Sequence, residues 1–171
     1  VAALAEGLSA HNKRVLLVDW DPQASLTISF GIDPDTLNKT GYDALAAAIR
    51  NSEGTSIKDV IIPTSDPNID LVPSSTELWK AEISPKGDSA REMILKEMLA
   101  PVRDNYDFIL IDCLPALGLL AINALTAADK VIIPVQTDFL AMKGLLSLLT
   151  TIARIKGRIG PGLEISGILF T

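Results

Sequence analysis

The sequence predicts an α/β fold, a mainly parallel sheet with helices on both faces. Three observations carry that prediction. The apolar runs Val15–Val18, Phe108–Ile111 and Val131–Val135 are unbroken rather than alternating, as in strands buried on both faces. Helical patterns stand between them, which makes the connections crossovers rather than hairpins. Three runs end in chemistry, "VLLVD", "FILID" and "VIIPVQTD", at the strand ends where open α/β sheets bind ligands.

Each element follows from local pattern. Val1, Leu4, Ala5 and Leu8 share one helical face, so Val1–Ala10 reads as a helix, closed by a turn at His11 and Asn12. Strand Val15–Val18 follows. A polar stretch then leads to a helix near Tyr42–Asn51. Val60–Ile62 and Ile69–Val72 read as short extended runs about a Pro-Thr-Ser-Asp-Pro turn. Their flanking prolines place both toward a sheet edge. Ser75 or Thr76 caps a short helix through Ile83. In "SAREMILKEMLAPV", Met93, Ile94, Met98 and Leu99 mark one helical face, with Ser89 as N-cap. Strand Phe108–Ile111, helix Leu119–Ala128, strand Val131–Val135, a long helix Phe139–Lys156 and strand Ile165–Phe170 complete the pattern. The three main strands are expected as interior strands of one sheet.

Bulk properties exclude several classes. A length of 171 residues suits one domain, expected to span 1–171. A net charge of −6 argues against a surface basic enough to bind nucleic acid as a whole. Lys143, Arg154, Lys156 and Arg158 form an acid-free stretch that could touch phosphate backbone, although helix C-terminal complementation explains it more simply. Cys113 is the single cysteine, so no internal disulfide is possible and a reducing cytoplasm fits best. No apolar run approaches the roughly 18 residues of a membrane span. The first residues, "VAALAEGLSA", lack the basic start of a secretory signal. Lacking methionine and cap at the start, and closing on "EISGILFT", the chain reads as a piece cut from a longer one.

Asp112 ends an apolar run in the manner of a Walker B acid. A hard cation wants oxygen ligands, and a strand end holds a carboxylate rigidly. A cap for the following helix is the structural alternative. Asp19 and Asp21 flank Trp20 where strand Val15–Val18 stops, and Asp19 could equally be a buried acid satisfied by backbone amides. His11 reads as an exposed turn residue. Cys113 reads as a small buried residue rather than a nucleophile, the one histidine being remote in sequence.

Together, "VLLVDWDPQASLT" and "YDFILIDCLPALGLLAINALTAADKVIIPVQTDFLAMKGL" resemble the ParA/Soj chromosome and plasmid partition ATPases, within the MinD/ParA class of P-loop NTPases. The resemblance runs through essentially the whole chain. It implies a P-loop architecture, ATP and Mg²⁺ as cofactors, a nucleotide-dependent homodimer, nonspecific DNA binding, a ParB-like hydrolysis activator and no stable membrane insertion. On matching positions, Asp21 positions or activates the attacking water, Asp112 holds the metal and Asp19 lies near metal and phosphate loop. Pro22 and Gln23 fall in the first switch segment. Cys113, Leu114, Pro115 and Gly118 fall in the second. The three acids are expected to converge beside the N-terminus of the Val1 helix.

Three departures from the family pattern stand out. Leu114 replaces a proline, which restores a backbone donor and implies a looser second switch. Ala24 replaces a glycine, and alanine resists positive φ. The glycine-rich phosphate loop is expected just before Val1. Its strand is expected between those ending at Asp19 and Asp112. Residues 1–171 alone would then leave a gap there, be poorly stable and bind no nucleotide. Alternatives are a MinD-like positioning ATPase and an amidoligase of the cobyrinic acid or dethiobiotin synthetase type. A phosphoacceptor receiver domain is rejected, because 31–56 is polar loop and helix where its next strand should be.

Overall fold

The computed structural model describes residues 1–51, 54–82, 91–114, 118–135, 139–158 and 162–170, with backbone alone at 139–143 and 158. Helix α1 (Ala2–Ser9) leads into β1 (Val15–Trp20), whose six residues are all buried. The pleat sends its side chains to two cores. Leu16, Val18 and Trp20 pack with α3 (Gly41–Arg50), α5 (Ile94–Leu99) and α6 (Leu119–Ala127). Val15 and Leu17 face the opposite way, against Ala5 of α1 and Leu26 of α2 (Ser25–Ser29). Each such side chain contributes about 1.5–3 kcal/mol relative to exposure. This double burial is why the run "VLLV" carries no alternation.

Among the described residues the strands form two sheets. The first has the order β2 (Ile62–Pro63), β3 (Ile69–Val72), β1, β4 (Phe108–Cys113). β1 runs parallel to both neighbours, and β2 pairs antiparallel with β3. The second joins β5 (Lys130–Val135) parallel to β6 (Glu164–Phe170) over a core of Leu125, Ile133, Val135, Ile152, Ile155 and Leu163. Helix α7 (Phe139–Arg158) supplies Ile152 and Ile155. The mainly parallel, helix-covered architecture stands as expected. No helix of the described residues is long and apolar enough to cross a membrane.

Several details differ from the sequence reading. The three main strands do not share one sheet. β1 is interior, β4 borders the first sheet, and β5 belongs to the second. Apolar continuity reports cover on two faces and says nothing of neighbours at the edges. The gap expected between β1 and β4 is absent, since they pair directly from Val15↔Phe108 to Trp20↔Cys113. The break lies instead between β4 and β5, where a groove of about 840 Å³ is lined by Phe108–Ile111, Ile132, Leu4 and Leu8. β3 is interior, while Pro63 sits on the edge strand β2, where a missing N–H is tolerated.

Val60 is not a strand residue. It closes a 3₁₀ turn, Ile57–Asp59, whose Ser56–Asp59 capping box outweighs its β-branched preference. The short helix after Ser75 is a 3₁₀ turn, Thr76–Leu78, continuing into α4 (Trp79–Glu82). Ser75 makes no side-chain cap. Residues 91–93 likewise form a 3₁₀ turn before α5. Ile83 and the expected cap Ser89 lie outside the described residues.

Candidate nucleotide and metal site

The site is built where β1 and β4 end side by side. Asp19 and Asp112 are register partners, so both carboxylates project toward the face covered by α1 and α2. Beyond β1 the chain turns tightly. The Asp21 Oδ1 accepts from the Gln23 N–H at 2.8 Å, and the Ala24 N–H donates to the Asp21 carbonyl at 2.9 Å. Pro22 is buried and Gln23 exposed. Ala24 sits in the left-handed region at φ 54°, ψ 29°. The alanine adopts there the conformation that the family pattern gives to glycine, and α2 starts from it.

Asp19 is fully buried and fully engaged. Its Oδ2 accepts from the Thr27 N–H at 2.7 Å and the Thr27 hydroxyl at 2.6 Å, and its Oδ1 from the Asp21 N–H at 3.4 Å. The Thr27 Oγ1 in turn accepts from the Ser74 N–H at 3.0 Å, and the Ser74 hydroxyl donates to the Asp21 carbonyl at 2.6 Å. This closed network ties the turn after β1 to the end of β3. Burial pushes the Asp19 carboxyl above the usual range, and the bonds from Thr27 and Asp21 pull it back in part.

Asp112 differs. It is half-buried, and among the described residues its carboxylate accepts no hydrogen bond. Burial raises its pKa, and the Asp21 carboxylate raises it further. Asp21 is thus within electrostatic reach of Asp112. Cys113, half-buried beside it, has its thiol pushed up to about 11, first by burial and then by Asp112 and Asp21. A thiol so placed stays protonated at neutral pH and is no nucleophile. His11 is exposed, its Nδ1 2.8 Å from the Gly7 carbonyl.

Among the described residues no three His, Cys, Asp or Glu side chains cluster as a metal cage. Mg²⁺ takes one or two carboxylates and completes its shell with water and phosphate. An unpartnered carboxylate on a rigid strand end fits such an ion. Gly118 is the N-cap of α6, and Leu114 packs against the main core. Pro115 lies outside the described residues. Arg154 and Lys156 are exposed on α7, and nothing brings them to this site.

Sequence reading missed three partners of the site, namely Thr27, Ser74 and Glu82. Thr27 carried a weak signal, eight residues after Asp19 on a short helix. Ser74 and Glu82 carried none, because their partners are 47 and 37 residues away.

A mainly parallel α/β sheet presenting carboxylates at adjacent strand ends has its acids where open α/β sheets bind ligands. The family model described as AAA domain matches residues 1–165. The sporulation initiation inhibitor protein Soj of Bacillus subtilis is 42% identical over 164 residues, 96% of this chain and 62% of that protein. The chromosome partitioning protein ParA of Myxococcus xanthus is 39% identical over 168 residues, 98% of this chain and 57% of that protein. A crystal structure of cobyrinic acid a,c-diamide synthase from Mycobacterium smegmatis, with bound ATP analog and magnesium, superposes with TM-score 0.88 at 35% identity, covering 99% of this chain and 67% of that one. The chain belongs to the AAA domain family and, within it, is of the ParA/Soj type of P-loop ATPase. It spans about three fifths of the length of the two partition relatives.

Proposed function

We propose that the intact protein is a cytoplasmic, Mg²⁺-dependent ATPase of chromosome or plasmid partition. In this reading it dimerises on ATP, binds DNA without sequence preference, and is switched off by hydrolysis that a ParB-like partner stimulates. The observation that carries it is the pairing of Asp19 with Asp112 at one sheet end, with Asp21 within electrostatic reach.

The residues divide the work. Asp112, unpartnered among the described residues, would hold Mg²⁺, through water in the usual Walker B manner. The ion would neutralise phosphate charge. Asp21 keeps Oδ2 free of described partners while Oδ1 is fixed by the Gln23 N–H, which suits orienting a water. Asp19 holds the turn that aims Asp21. Pro22 and Gln23 form that turn, and Cys113 and Gly118 bound the second loop, with Pro115 assigned there from sequence alone.

The test is made on the intact protein. Asp21→Ala is expected to retain ATP binding while hydrolysis stalls. Asp112→Ala is expected to weaken Mg²⁺-dependent binding. Wild-type hydrolysis in Asp21→Ala overturns its role. The likeness to cobyrinic acid a,c-diamide synthase favours a second reading, an ATP-dependent amidoligase. Phosphate release that requires a carboxylic acid acceptor would select it, and release stimulated by DNA and partner without any acceptor would select the partition ATPase.

A further inference from the structure

Helix α6 begins at the end of the loop that starts at Asp112, and its first amides are not free. The Glu82 carboxylate, at the end of α4, receives both. Oε2 accepts from the Leu119 N–H at 3.0 Å and Oε1 from the Leu120 N–H at 2.8 Å. The cap residue itself, Gly118, has no side chain to do this. Its φ of −98° is open to any residue. A Cβ there would overlap the Glu82 carboxylate, so any larger residue would make that side chain swing away.

Residues on both sides of this contact pack into the main core. Leu78 and Ala81, on the Glu82 side, are buried in the main core with Leu120 and Ala124 of α6. A second tie holds α6 lower down, where the Asn123 Oδ1 accepts from the Leu95 N–H at 3.0 Å. Asp112 is therefore held by β1–β4 pairing, and the start of α6, next to Gly118, by Glu82.

We propose that Glu82 is a positioning residue for hydrolysis, holding the start of α6 so that Gly118, which bounds the second switch segment, is presented to a bound nucleotide in one arrangement. Glu82 itself touches no nucleotide. Gly118 is the space that lets it reach. The inference rests on the ATPase reading above and deepens it.

The experiment is steady-state ATP hydrolysis by the intact protein at saturating Mg·ATP, for wild type, Glu82→Ala, Glu82→Gln, Gly118→Ala and the Glu82→Ala/Gly118→Ala double variant. Glu82→Ala is expected to lower kcat about 10-fold or more, the scale at which small misplacement slows chemistry, with KM for ATP changed less than about twofold. Glu82→Gln keeps one of the two acceptors and the side-chain volume, while its NH2 can accept from neither amide, and should return kcat part of the way from Glu82→Ala toward wild type. Gly118→Ala should reproduce the loss by expelling the carboxylate, and the double variant should be no worse than the poorer single one. Thermal melting of Glu82→Gln controls for folding. Wild-type kcat in both Glu82→Ala and Gly118→Ala, or kcat losses that multiply in the double variant, overturns the inference while the ATPase reading stands. A wild-type protein that hydrolyses no ATP overturns the ATPase reading and this inference with it.

Discussion

β1 and β4 lie side by side in register, and each ends in an apolar run followed by aspartate. Their carboxylates meet opposite fates. Asp19 is sealed from solvent and accepts three hydrogen bonds, two of them from Thr27. Asp112, its register partner, is half-buried and accepts none among the described residues. Burial raises both carboxyls. The same strand-end pattern has thus produced one acid that builds the loop and one whose lone pairs remain for a ligand. An acid satisfied by its own protein contributes to the fold, and an acid left unsatisfied although partly buried is a candidate for function.

The largest expected effect tests the structural half. Asp19→Ala leaves the Thr27 N–H and hydroxyl without their acceptor in a site closed to water, at about 1–3 kcal/mol each. The expected destabilisation is about 3 kcal/mol in urea unfolding, a large part of a typical domain's stability of about 5–15 kcal/mol. Adding Thr27→Val to Asp19→Ala should cost much less than it does alone, because the two residues share one network. A loss below about 1 kcal/mol for Asp19→Ala would erase the distinction between the two acids.

The next effect has the opposite sign and sharpens the functional half. The folded-state pKa of Asp112 is raised above its ordinary value of 3.8. Its contribution to stability is therefore complete below the unfolded value and is lost as pH rises through the folded one. Asp112→Asn keeps the shape and removes the ionisation. The variant should unfold at a higher temperature than wild type at pH 7, and the difference should shrink to nothing as pH falls below about 4. It should also lose Mg²⁺-dependent ATP binding in the intact protein. A variant less stable than wild type at pH 7 would mean that Asp112 has a structural partner after all.

The contrast explains which features the sequence made legible. The strands were visible because burial on two faces leaves unbroken runs such as Val15–Val18, and the acids were visible because they interrupt those runs. Strand neighbours were not visible. Phe108–Ile111 and Val131–Val135 read alike, yet β4 pairs with β1 while β5 pairs with β6. Ile132, Ile168 and Phe170 of that second sheet are exposed in this chain. The network around Asp19 was also hidden, since Ser74 reaches it only through the β1–β3 pairing. Local pattern can locate a carboxylate, and only tertiary structure can say whether anything already holds it.

The smallest expected effect concerns the turn between the two acids' loops. Ala24 holds φ 54°, a conformation costing a non-glycine residue about 1–2 kcal/mol. Ala24→Gly removes that strain. It also removes a methyl that is only 3% exposed, worth about 0.8 kcal/mol, and it raises the entropy of the unfolded chain by about 0.4–1 kcal/mol. The terms nearly cancel, so the unfolding free energy should change by less than about 1 kcal/mol. Ala24→Val keeps the strain, adds a β-branch that the left-handed region excludes, and enlarges a buried side chain. It should cost about 2 kcal/mol or more. If both variants matched wild type in urea unfolding, the left-handed turn would not be the conformation that Asp19 and Ser74 hold in place. If Ala24→Gly gained more than about 2 kcal/mol, the alanine methyl would contribute nothing to packing, and the turn would be held by hydrogen bonds alone.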